Sequence, residues 1–122
     1  MYVLDTNVII YYLKNDSVVV QRLKELLASS RPCVSAITEV ELLSFPLLSP
    51  TDEIQIEQIL STTSLVSVDS QIAKQAGALR RKHGLKLADS VIAATALFTG
   101  KTLITRNARD FKRVPTLTVE RI

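Results

Sequence analysis

MYVLDTNVII, residues 1–10, holds the key to the chain. Tyr2, Val3 and Leu4 form a short run without polar alternation, the pattern of a strand buried on both faces. Asp5 follows at once. A carboxylate there is costly to bury unless something compensates it. Two roles are open. Asp5 caps the helix signalled by Val8 to Leu13, or it is the first ligand of a metal site at the strand's end.

Outward from this strand and helix, apolar periodicity continues in alternating units. Val20, Leu23, Leu26 and Leu27 recur at helical spacing within Val18 to Ala28, with Asp16 or Ser17 as the cap. Pro32 to Val34 reads as a second strand, and SAITEVELLSF, residues 35–45, as a helix stopped near Pro46. SPTDEIQIEQIL, residues 49–60, starts another helix with Ser49 or Thr51 as cap. Leu65 to Val68 reads as a third strand, then a helix runs from Asp69 or Ser70 to Gly84. ADSVIAATALF, residues 88–98, is a strongly apolar helix closed by Gly100. TLIT, residues 102–105, and LTV, residues 117–119, supply a fourth and a fifth strand. Strands alternating with helices predict an α/β fold, a three-layer α/β/α sandwich around a short central parallel sheet of four to five strands. In such sheets ligands gather beyond the carboxyl ends of the strands, where Asp5 and the residues after TLIT fall.

A chain of 122 residues fits a single domain, 1–122, large enough for its own core. The lone Cys33 excludes an internal disulfide, and with the lone His83 it excludes a zinc pattern. The first apolar run breaks at Asp5 with no basic residues before it, unlike a secretory signal, and VIAATALF is too short to span a membrane. A cytoplasmic address is expected. The formal charge is +3; setting four acids aside in one site leaves eight Asp and Glu against fifteen Lys and Arg. An acidic pocket in a basic surround suits a metal-dependent enzyme acting on a polyanion.

Four acids are candidates for that pocket. Asp89 shares a helix face with Ile92, Ala93 and Ala96, so it borders a buried stripe, although an Asp in a first helical turn also suits the macrodipole. Glu41 lies among Val40, Leu42 and Leu43; it closes a capping box with Thr38, or sits inside a helix begun at Ser35, while Glu39 points elsewhere. Asp110 and Asn107 follow the TLIT strand, where a turn or helix start is the plainer role. Asp69 reads as an N-cap. Carboxylates brought together repel one another unless a cation intervenes, and hard Mg²⁺ or Mn²⁺ prefers oxygen ligands.

Four segments in order, LDTNVII, VSAITEVELL, RRKHGLKLADSVIAATAL and TLITRNARDF, resemble the PIN-domain nucleases, in particular the VapC-type toxins of toxin–antitoxin pairs. The resemblance implies that Asp5, Glu41, Asp89 and Asp110 form the catalytic metal site, with Asp5 and Asp89 nearest the ion. Asn7 and Thr105 would support it, and Asn107 stands where some relatives carry another Asp. It implies a Mg²⁺- or Mn²⁺-dependent endoribonuclease that uses a metal-activated water, a homodimer, and a VapB-like antitoxin as partner. Arg80, Arg81, Lys82 and Lys86, with Arg106, are candidate contacts for the RNA backbone. The alternative is a catalytically inactive RNA-binding or interaction domain of the same fold. A haloacid-dehalogenase phosphatase would want Asp where Asn7 stands, and a receiver domain would want Lys after a late strand, whereas Lys101 precedes TLIT.

Overall fold

The computed structural model describes residues 1–122. In chain order the elements are β1 (Tyr2–Leu4), α1 (Thr6–Leu13), α2 (Ser17–Ser29), β2 (Cys33–Ser35), α3 (Ala36–Leu43) and α4 (Pro50–Ser61). Then come β3 (Ser64–Val66), α5 (Ser70–His83), α6 (Leu87–Thr99), β4 (Thr102–Thr105), α7 (Ala108–Phe111) and β5 (Val119–Arg121). The five strands form one sheet in the order β3-β2-β1-β4-β5, every pair parallel. The three-layer α/β/α sandwich expected from the sequence is what forms.

The period of two along each strand builds the layers. Leu4, Val34 and Ile104 face one core with Val8 and Ile9 of α1, Leu23 of α2 and Ile59 of α4. Their neighbours Val3, Cys33 and Leu103 face the other, with Ile92, Ala93 and Ala96 of α6 and Phe111. Helix α6 is buried at every position from Ser90 to Ala96 because α5 covers its far side through Ile72 and Ala76. That double cover explains why ADSVIAATALF is apolar all round rather than along one stripe.

Caps set the helix ends. Asp16 accepts from the Val19 amide, Asp69 from Ile72, and Ser49 and Asp52 exchange both bonds of a capping box. Gly84 and Gly100 end α5 and α6 in the left-handed conformation. At Gly100 φ is +67° and nothing lies within 4 Å of an added Cβ, so substitution meets backbone strain alone. Gly100→Ala is therefore expected to lower stability by about 1 kcal/mol in a urea melt.

Three strands sit slightly away from their expected places, the second running from Cys33 to Ser35 rather than Pro32 to Val34. The third runs from Ser64 to Val66 rather than Leu65 to Val68, because it is in register with Cys33–Ser35. The fifth is Val119–Arg121 rather than Leu117–Val119: Leu117 is buried beneath the sheet's second face, and pairing with β4 starts at Val119. A bidentate Arg22–Glu120 pair, 2.9–3.1 Å, then ties β5 to α2, with Arg22 stacked over Tyr2.

Candidate active site

The sheet order places β1 in the centre, with β2 on one side and β4 on the other. Chain connections leave in opposite directions there, opening a crevice beyond the carboxyl ends of β1 and β4. Asp5 and Thr105 occupy those two ends.

Asp5 does not cap α1. It stands at the N-cap position in an extended conformation, yet its side chain makes no cap bond. Instead its Oδ2 accepts the Thr105 hydroxyl at 2.7 Å, across the switch between the two strands. Thr105 Oγ1 in turn accepts the Asn107 amide at 2.8 Å. Asp5 is only 2% exposed. Burial is the main force pushing its pKa up to about 6, with Asp89 and then Glu41 adding repulsion, against the opposing pull of the Thr105 and Thr6 hydrogen bonds.

Glu41 reaches the same crevice from α3. Ser35, not Thr38, caps that helix, accepting from the Ile37 amide. Glu41 therefore lies inside the helix and makes no capping box; its Oε1 accepts the Thr6 hydroxyl at 2.6 Å. Asp89 projects from the first turn of α6. Burial raises its pKa, Glu41 and Asp110 raise it further, and Lys86 opposes them. Asp110, on α7, goes the other way: the Asn107 amide donating at 2.9 Å, with Arg113, Lys86 and Arg109 nearby, holds its carboxyl below the usual range.

Asp5, Glu41 and Asp89 thus form one electrostatic group, and Asp110 joins it through Asp89. The donors are oxygens only, the set that hard cations favour. No three acid, histidine or cysteine side chains come close enough together to hold a metal ion among themselves. The four acids expected to form one metal site lie along the same crevice without closing around one point, and oxygen donors set this far apart suit an ion that keeps several waters and takes one or two carboxylates directly.

The other expected residues divide. Thr105 and Asn107 bond within the group as described. Asn7 is exposed and lines an open groove of about 610 Å³ beside Thr6, Tyr11, Lys14, Glu41 and Phe45. Arg80, Arg81, Lys82 and Lys86 are exposed along the end of α5 and the start of α6. Arg106 is engaged within the chain: Nη2 donates to Asp16 at 2.8 Å and the guanidinium stacks 4.5 Å over Tyr11. Nothing in the sequence singles out Thr6, and Thr38 reads there only as a cap. Their signals, a hydroxyl directly after Asp5 and another one turn before Glu41, are too common to be read without the fold.

The family model described as PIN domain matches residues 2–117. The chain belongs to the PIN-domain family. Among this PIN domain's curated relatives is Ribonuclease VapC1 of Haemophilus influenzae (strain R2866), 35% identical, with 96% of this chain and 94% of that protein covered. The tRNA(fMet)-specific endonuclease VapC of Salmonella typhimurium is 31% identical over 98% of this chain and 96% of its own length. Among solved structures, VapBC2 from Rickettsia felis bound to a promoter DNA fragment superposes with a TM-score of 0.87 at 25% identity, covering 99% and 98% of the two chains. A toxin–antitoxin complex from Klebsiella pneumoniae gives 0.83 at 30% identity over 97% and 96%. The likeness of this PIN domain to those proteins runs end to end.

Proposed function

We propose that this PIN domain is a Mg²⁺- or Mn²⁺-dependent endoribonuclease and the toxin of a toxin–antitoxin pair. The observation that carries the proposal is Asp5: a carboxylate 2% exposed, without a cationic side chain bonded to it, repelled by Asp89 and Glu41. A protein keeps such a charge where function needs it. VapC ribonucleases align along nearly the whole chain, which favours RNA as the substrate.

Asp5 and Asp89 would hold the cation, with Glu41 and Asp110 acting directly or through water. When bound, the ion supplies positive charge to the scissile phosphate and its leaving oxygen, and acidifies a water for in-line attack. Thr105 keeps the Asp5 carboxylate aimed across the β1–β4 crevice, and Asn107 does the same for Asp110. No histidine stands in the group, since His83 lies at the end of α5. Proton removal therefore falls to the carboxylates.

The partner is a VapB-like antitoxin, in keeping with the toxin–antitoxin complexes among the structural neighbours, and the proposed form of the toxin is a homodimer. No helix is long and apolar enough to cross a membrane. On the proposed reading the toxin acts in the cytoplasm. The deciding experiment is cleavage of a defined RNA by purified protein with Mg²⁺, with Mn²⁺ and with chelator. Cation-dependent cleavage is expected; RNA binding without cleavage would favour the inactive alternative.

The basic stretch supplies the substrate contact. Lys86 is near enough to Asp89 and Asp110 to shift both carboxyls, so the ridge of Arg80, Arg81 and Lys82 leads to the acidic edge. Changing these three together to Gln is expected to raise KM for RNA several-fold with kcat retained. The slope of log affinity against log salt should shrink by about 0.7 for each RNA phosphate that the variant no longer neutralises. An unchanged slope would remove the ridge from the interface.

A further inference from the structure

Two buried threonines stand behind Glu41, and capping explains neither. Thr38 is 0% and Thr6 4% exposed. The Thr6 hydroxyl contacts Glu41 Oε1 at 2.6 Å and Thr38 Oγ1 at 2.8 Å. A hydroxyl has one hydrogen. Glu41 as a carboxylate can only accept, so Thr6 donates to Glu41 and Thr38 donates to Thr6. The direction of the chain is fixed: Thr38 to Thr6 to Glu41.

The threonines of α6 behave differently. Thr95 and Thr99 on α6 return their hydroxyls to the carbonyls of Val91 and Thr95 one turn earlier, at 2.8 Å each. That is the ordinary use of a helical threonine hydroxyl. Thr38 is also helical, but its hydroxyl leaves its own helix and reaches α1, 32 residues away in sequence. The bond joins α3 to the residue that follows Asp5.

We propose that Thr38 is a positioning residue for the cation site, acting through Thr6. Donation by Thr38 stops the Thr6 hydroxyl from rotating, so its hydrogen stays on Glu41 Oε1. Glu41 is thereby held in one rotamer, and Oε2 remains without a protein partner, open to the ion or to one of its waters. Serial hydrogen bonds polarise one another in a buried setting, which strengthens the terminal bond to the carboxylate. Groups standing behind the ligands of a metal commonly matter 10- to 100-fold in affinity or rate, at roughly the scale expected here for Thr6. This role rests on the proposed cation-dependent nuclease.

The test compares Thr38→Val, which keeps the shape and removes the donor, with Thr38→Ser, which keeps the donor. Mn²⁺ affinity of the RNA-free protein is measured by calorimetry, beside kcat and KM for RNA cleavage and a thermal melt. Thr38→Val should weaken Mn²⁺ binding about three- to tenfold and lower kcat to match, with KM for RNA unchanged; Thr38→Ser should restore both. In the double-mutant cycle, Thr6→Val with Thr38→Val should cost no more than Thr6→Val alone, because Thr38 has no other route to Glu41. If Thr38→Val does not fold, Thr38→Ala against Thr38→Ser makes the same comparison. Parent-like affinity and kcat in the donor-less variant, equal loss in the serine variant, or additive losses in the cycle would overturn the proposal while leaving the nuclease intact. A parent protein that neither binds Mn²⁺ nor cleaves RNA would overturn both.

Discussion

Asp5→Asn is expected to lower RNA cleavage by more than about a hundredfold and, without divalent cations, to make the fold more stable. The loss follows from position. Groups standing behind metal ligands already cost 10- to 100-fold when removed, so the carboxylate proposed to hold the ion should cost at least the upper end of that range. The gain follows from the folded-state pKa of about 6 against the 3.8 of an ordinary aspartate. An acid whose pKa is raised on folding contributes stability in its protonated form. That contribution is complete below about pH 4 and lost as pH rises through about 6. Above pH 7 the ionised group opposes folding by up to about 3 kcal/mol. Asn can still accept from Thr105 through its amide oxygen and carries no charge. A gain of about 1–3 kcal/mol at pH 7.5, fading towards pH 4, is the expected result of urea melts in chelator. Cleavage by Asp5→Asn at the parent's rate would remove Asp5 from the site, and a loss of stability at pH 7.5 would contradict its burial as an uncompensated charge. Asp89→Asn should share the catalytic loss, since burial and Glu41 raise that carboxyl as well.

Removing divalent cations should abolish cleavage, and protons should compete for the same place. Cation binding requires carboxylates without their protons. Asp5 takes up a proton near pH 6, and Asp89 is shifted in the same direction. Mn²⁺ affinity is therefore expected to be level above about pH 7. It should fall about tenfold per pH unit below pH 6, and more steeply once the second carboxyl joins. In a melt, Mn²⁺ at 100 times its dissociation constant should add about 2.7 kcal/mol at pH 7.5 and much less at pH 5. Calorimetry across pH 5 to 8 reads the first effect and thermal melts the second. Affinity independent of pH in that range, or cleavage undiminished by chelator, would rule out Asp5 as a ligand of the ion.

Much of the architecture was legible because it depends on local rules. Tyr2–Leu4 and TLIT lack alternation because both faces of a parallel sheet are covered, and Ser49, Asp69, Gly84 and Gly100 sit where capping chemistry requires them. The fifth strand was displaced because burial of Leu117 and pairing with β4 are non-local choices. Among the site residues, Asp5 stood out by interrupting an apolar run and Asp89 by facing small residues. Glu41 remained open between two helix starts until Ser35 was seen to take the cap. Arg106 read as a candidate contact for the RNA backbone, and only the fold shows its bond to Asp16 and its stacking on Tyr11, which brace the turn between α1 and α2.

By itself, the sequence determined the parallel α/β class, the caps that end its helices, and the few acids that apolar surroundings make costly. Those features depend on neighbours a few residues away, and periodicity records them. Tertiary structure alone decided that Asp5 turns from its own helix to Thr105, 100 residues away, and that Glu41 is gripped through Thr6 by Thr38. The reason is that a hydroxyl or carboxylate carries its partner's identity in no local pattern: which groups meet is set by the order of strands in the sheet.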